Sequence, residues 1–136
     1  NNADMITGMN YMGVPFDHAV SAFLEDIRDR GLEDKVLLVC CGEMGRTPRI
    51  NKKGGRDHWG NIAPLMLAGG GLEMGQVIGQ STRNVGEPLT TPYRIDNLVG
   101  TIFNTLFDVG ELRLNQGVPR DIARAMETYQ PIPGLL

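Results

Sequence analysis

Val36-Leu37-Leu38-Val39-Cys40-Cys41-Gly42-Glu43-Met44-Gly45 begins the stretch that decides the fold, and the stretch runs on to Gly69-Gly70-Gly71. Six apolar residues without polar alternation read as a strand buried on both faces, as in a parallel sheet. Gly42-Glu43-Met44-Gly45 reads as a turn, and a charged loop leads from it to Asp57-His58-Trp59. A second apolar run, Ile62-Ala63-Pro64-Leu65-Met66-Leu67-Ala68, follows, with Pro64 weakening its start. Residues 42–61 are too many for a structureless connector, which points to function, and Trp59 needs somewhere to pack. In open α/β sheets ligands bind beyond the carboxyl ends of strands, and Glu43 stands at such an end.

Glu43 and His58 are therefore the first candidates. A carboxylate and an imidazole are common ligands for a divalent metal, and close together they also make an acid/base pair. The plainer reading is a capping acid and a histidine bonded to backbone. Between Glu43 and Asp57 lie Arg46, Arg49, Lys52, Lys53 and Arg56, five cations against two carboxylates for a net +3. Such a cluster attracts an anionic ligand, and arginine forks suit sulfate, phosphate or carboxylate oxygens. For most of the five, a solvated loop is the simpler account. Arg46, wedged between Gly45 and Thr47, is expected to hold a fixed pose, either serving an anion or pairing with Glu43 or Asp57.

Outward from this stretch, Pro15 opens an amphipathic helix of about four turns. Phe16, Val20, Phe23, Leu24 and Ile27 share its apolar face, and Gly31 ends it. Residues 1–14 read as a leading loop. Asp17 and His18 diverge on that helix and are left out of the site. Gly69-Gly70-Gly71 lacks the Gly-Lys-Ser/Thr ending of a phosphate loop and reads as a close-packed turn. Gln76-Val77-Ile78-Gly79 reads as a short strand, with an edge position open to it. Thr90-Thr91-Pro92 leads into a helix carrying Ile95, Leu98, Val99, Ile102, Phe103 and Leu106 on one face, with Gly110 closing that region. A last helix follows Val118-Pro119, and the tail from Pro131 is expected to lie on the surface.

With 136 residues, 41% hydrophobic and 21% charged, the chain has the composition of one globular domain. A net charge of −3 argues against nucleic acid, and no apolar run is long enough to span a membrane. Adjacent Cys40 and Cys41 cannot form a disulfide framework and read as small buried residues. Two or three strands are too little sheet to cover the helices. The fold class expected is α/β, part of a doubly wound, mostly parallel sheet with flanking helices, with residues 1–136 as its C-terminal portion and 111–136 as the terminal helix and tail.

Gly42-Glu43-Met44-Gly45-Arg46-Thr47-Pro48-Arg49-Ile50 and Gly54-Gly55-Arg56-Asp57-His58-Trp59 resemble the signature of the domain-of-unknown-function family numbered 1501, abundant in planctomycetes. Leu67-Ala68-Gly69-Gly70-Gly71 and Gln76-Val77-Ile78-Gly79 extend the resemblance. That family is related to the alkaline phosphatase and sulfatase superfamily, which hydrolyses phosphate or sulfate esters with divalent metals. The resemblance implies an alkaline-phosphatase-like fold, with Glu43 and His58 at metal-ligand positions, Asp57 as a weaker neighbour and Arg46 assisting an anionic group. The metal implied is Zn, Ca, Mg or Mn. Asp96-Asn97-Leu98-Val99-Gly100-Thr101 matches the superfamily's later helix.

Two residues depart from the superfamily's pattern. Glu43 replaces an aspartate, and Met44 occupies a ligand position where a thioether serves hard cations poorly. The superfamily's nucleophile and first aspartates lie in an N-terminal half that these residues do not supply, so the chain by itself is expected to be inactive. The partners implied are that half of the domain and an anionic ester or sulfated polysaccharide, and the location implied is extracytoplasmic. The other reading is a non-catalytic extracytoplasmic protein binding anionic polysaccharide on a degenerate sulfatase-like fold.

Overall fold

The computed structural model describes residues 4–112 and 114–136, so residues 1–3 of the expected leading loop lie outside the described residues. The described part of that stretch is helix rather than loop from Met5 onward. Asp4 caps α1 (Met5–Gly8), accepting from the Thr7 amide at 2.9 Å and the Thr7 hydroxyl at 3.0 Å. Those two bonds hold the Asp4 carboxyl below the usual aspartate value. A π-helical turn (Met9–Gly13) joins α1 to α2 (Val14–Asp29). The wider turn comes just before Pro15, whose missing N–H interrupts the α-helical ladder. Gly31, at φ +63°, supplies the left-handed residue after the helix, as its position after the last turn predicts.

After α2, β1 (Leu37–Cys41) pairs with β4 (Leu65–Gly69), Leu37 opposite Gly69 and Cys41 opposite Leu65. The pair is antiparallel, which corrects the parallel pairing expected from the unbroken apolar run. The intervening loop folds back on itself through β2 (Gly45–Arg46) and β3 (His58–Trp59), a second antiparallel pair, and so reverses the chain. Among the described residues the architecture is mixed α/β with two small antiparallel sheets. Cys40 is half-buried, but Cys41 is exposed, because the unpaired side of β1 leaves the strand's end uncovered.

Gly69 (φ +78°) and Gly70 (φ +67°) turn the chain out of β4. The Gly70 amide donates to the Glu33 carbonyl at 2.7 Å. A Cβ on Gly70 would stand 2.7 Å from Thr105 Cγ2, so the turn is packed directly against α3 (Ile95–Leu106). Gln76–Gly79, expected as a strand, forms none among the described residues, and Gly79 at φ +85° turns the chain out of an extended path. Gly110 does not close the helical region; it lies within a short helix, α4 (Val109–Leu112). The last helix is α5 (Arg120–Thr128).

The core gathers Leu72, Ile132 and Leu135, with Leu37, Leu67 and Ile78 packed on it. The tail expected at the surface therefore sends Ile132 and Leu135 into the core, while Pro133, Gly134 and Leu136 stay exposed. Thr101 on α3 is fully buried; its Oγ1 donates to the Asn97 carbonyl at 2.8 Å and accepts from the Ile132 amide at 2.9 Å. Asn97 Nδ2 adds a bond to the Gln130 carbonyl at 3.0 Å. Gly100 lets the tail come close, since a Cβ there would stand 2.6 Å from the Tyr129 carbonyl.

Candidate functional site at the end of β1

Local constraints shape the turn after β1. Gly45 is buried, and an added Cβ would run into the Ile62 carbonyl, with the Trp59 carbonyl 3.3 Å away. Only glycine lets the chain from β1 lie this close to the start of β4. Arg46 then folds back over the turn, donating from Nη1 to the carbonyls of Met44 (3.3 Å) and Gly45 (3.1 Å). Its Nη2 stands 3.9 Å from Glu43 Oε1. Of the two partners open to Arg46 in the sequence, the structure brings it to Glu43.

His58 sits directly across the β2–β3 ladder from Arg46. Opposite residues in an antiparallel pair share a face, with Cβ atoms about 4.5–5.5 Å apart. Arg46 is thus next to both Glu43 and His58. All three are exposed, and Met44 is half-buried. Asp57 is placed elsewhere. Neighbours along a strand point to opposite faces, and the Asp57 carboxylate accepts from Asn51 Nδ2 at 2.9 Å within the loop.

The remaining cations divide by role. Arg56 Nη1 donates to the Thr47 and Pro48 carbonyls at 2.7 and 2.9 Å, and so fastens the two sides of the loop. Arg49, Lys52 and Lys53 are exposed. Asn51 organises the tip, its Oδ1 accepting from the amides of Lys53 and Gly55. Trp59 finds the packing its size requires, and its Nε1 donates to the Gly86 carbonyl at 2.7 Å. Sequence reading passed over Asn61, which lines a groove with Arg46 and donates to Glu87 at 2.7 Å. A lone asparagine after glycine gives no signal of that.

Chemically, the rim offers one carboxylate, one imidazole and a guanidinium. Glu43 and His58 suit two positions of a divalent metal site, an oxygen and a nitrogen donor, both accessible. Among the described residues no three or more His, Cys, Asp or Glu side chains cluster closely enough to hold a metal. A site here would draw its further ligands from outside these residues.

The architecture and rim define an α/β chain with a carboxylate–arginine–histidine edge beside a glycine turn. Residues 4–122 match the family described as "Protein of unknown function (DUF1501)", and the chain belongs to that family. No curated protein and no solved structure matches it.

Proposed function

We propose that the chain is the C-terminal part of a metal-dependent hydrolase of sulfate or phosphate esters, related to alkaline phosphatases and sulfatases. The observation that carries this reading is the gathering of Glu43, Arg46 and His58 on one rim, at the end of β1 and within the stretch matched to the family. Glu43 and His58 would hold the divalent ion. When bound, such an ion polarises an ester oxygen and activates a nucleophile. Arg46, already steadied by two backbone carbonyls, binds and orients the anionic group. Were a cation held at Glu43, the Arg46 guanidinium would be available to the oxygens of the anionic group.

In this proposal the nucleophile and the remaining ligands come from the N-terminal half of the same domain, and β1 and β4 join a doubly wound, mostly parallel sheet. The working location is extracytoplasmic. The native full-length protein with added Mn²⁺ or Zn²⁺ is expected to turn over an aryl sulfate or aryl phosphate. No turnover of either ester with any of the four candidate metals would remove the hydrolase reading.

The exposed Arg49, Lys52 and Lys53 favour a second reading, a binding protein for sulfated or acidic polysaccharide. Such a protein would be retained on a polyanion column and released by salt, without hydrolysing either ester.

A further inference from the structure

On the β2–β3 hairpin lies a second cleft, of about 660 Å³, within the roughly 300–1,000 Å³ that small-molecule sites occupy. One wall is the loop from Thr47 to Asn51 with Asp57 and Trp59, and the other is the turn carrying Asn84, Gly86 and Glu87. Trp59 follows His58 along the hairpin and Thr47 follows Arg46, with the Thr47 amide donating to the Asp57 carbonyl at 2.9 Å. Neighbours along a strand face opposite ways, so this cleft is on the side of the hairpin away from the Arg46–His58 rim. The proposed metal and ester chemistry uses none of these residues.

Most of its polar side chains are fastened through one atom and leave another free. Trp59 spends its only polar atom on the Gly86 carbonyl, so its indole offers the cleft apolar ring surface. Asp57 Oδ1 accepts from Asn51 at 2.9 Å and Glu87 Oε1 from Asn61 at 2.7 Å; neither second oxygen has a partner among the described residues. Asn84 Oδ1 accepts from the Thr82 hydroxyl at 2.8 Å and the Gly86 amide at 3.2 Å, which leaves Nδ2 to donate. The exposed Arg49 guanidinium makes no hydrogen bond or ion pair among the described residues. The turn behind Asn84 and Glu87 is held in a costly shape. Val85 sits at φ +58°, where a β-branched residue is strained, and it is too exposed for core packing to account for this. Thr82 fixes the shape, its amide donating to the Glu87 carbonyl at 2.9 Å and its carbonyl accepting from the Val85 amide at 2.8 Å.

An anchored indole beside two carboxylate oxygens, an amide N–H and a guanidinium matches the chemistry of a sugar. A sugar ring has an apolar C–H face to lie on an aromatic ring, and hydroxyls that both donate and accept. Charge decides which kind of sugar. The lining sets Asp57 and Glu87 against Arg49, so a sulfate or phosphate group on the ligand would meet two carboxylates for one guanidinium. We infer that this cleft binds a neutral saccharide. Trp59 stacks on a ring face, Asp57 and Glu87 accept from hydroxyls, and Asn84 and Arg49 donate to them. The inference goes beyond the hydrolase and polyanion readings and rests on neither.

Titration calorimetry of the native full-length protein tests it, with cellohexaose, xylohexaose, mannohexaose and chitohexaose as neutral probes and heparin as the anionic one. At least one neutral probe is expected to bind. Arg49→Ala is expected to weaken that binding about tenfold or more, and Trp59→Ala to weaken it further. Binding of none of the neutral probes, or of heparin alone, would overturn the inference. Neutral-probe binding that Arg49→Ala does not weaken would also overturn it, and because Arg49 is exposed and bonded to nothing, that variant keeps its fold. Turnover and metal content of the same preparation report separately on the hydrolase reading.

Discussion

At the scale of single residues, the rim depends on Gly45. A methyl group there meets the Ile62 carbonyl, a backbone atom that cannot swing aside. Gly45→Ala is expected to cost about 2–4 kcal/mol in urea unfolding. Gly60→Ala, where an added Cβ meets nothing within 4 Å, should stay within about 0.5 kcal/mol. Equal effects would show that the close approach does not constrain the turn. The glycine turn was readable from sequence, but its closeness to Ile62 was not, because that contact forms only when β1 and β4 pair. Arg46 stood out for its neighbours, but its spacing left Glu43 and Asp57 both open as partners, and only the fold brings it to Glu43. Arg56 did not stand out: five cations in one loop look alike until Thr47 and Pro48 bring their carbonyls to one of them.

At the scale of elements, α3 and the tail hold each other. Thr101→Val keeps the volume but leaves the Ile132 amide without its acceptor in a buried place. The expected loss is about 1–3 kcal/mol, while Thr101→Ser, which keeps the oxygen, should lose less. A valine variant as stable as the parent would show that the bond adds nothing. The helix α3 was legible because its apolar residues recur at helical spacing. The tail was not, because Pro131-Ile132-Pro133-Gly134 has no periodicity, and only the fold shows Ile132 and Leu135 in the core. Residues 5–13 read as loop in the sequence because polar residues with scattered Met and Gly show no helical face, whereas the structure caps a helix there at Asp4. Strand direction was misread because an unbroken apolar run suits a parallel strand, while pairing was set by a loop that doubles back.

At the scale of the whole molecule, exposed apolar surface is the dominant fact. On the first helices Ile6 is 76% exposed and Tyr11 77%, and Phe16, which shares the apolar face of α2 with Val20, Phe23, Leu24 and Ile27, is 53% exposed. Among the described elements α2 packs substantially on no strand and on none of the later helices. In the proposed reading, further polypeptide of the same domain would cover this surface and would supply the metal ligands that Glu43 and His58 do not. The most direct test of the site is the metal content of the native full-length protein, measured by elemental analysis beside His58→Ala and Glu43→Gln. Both variants are expected to carry less bound divalent metal than the parent, with folding intact by circular dichroism. Metal content unchanged in both would contradict the proposed site.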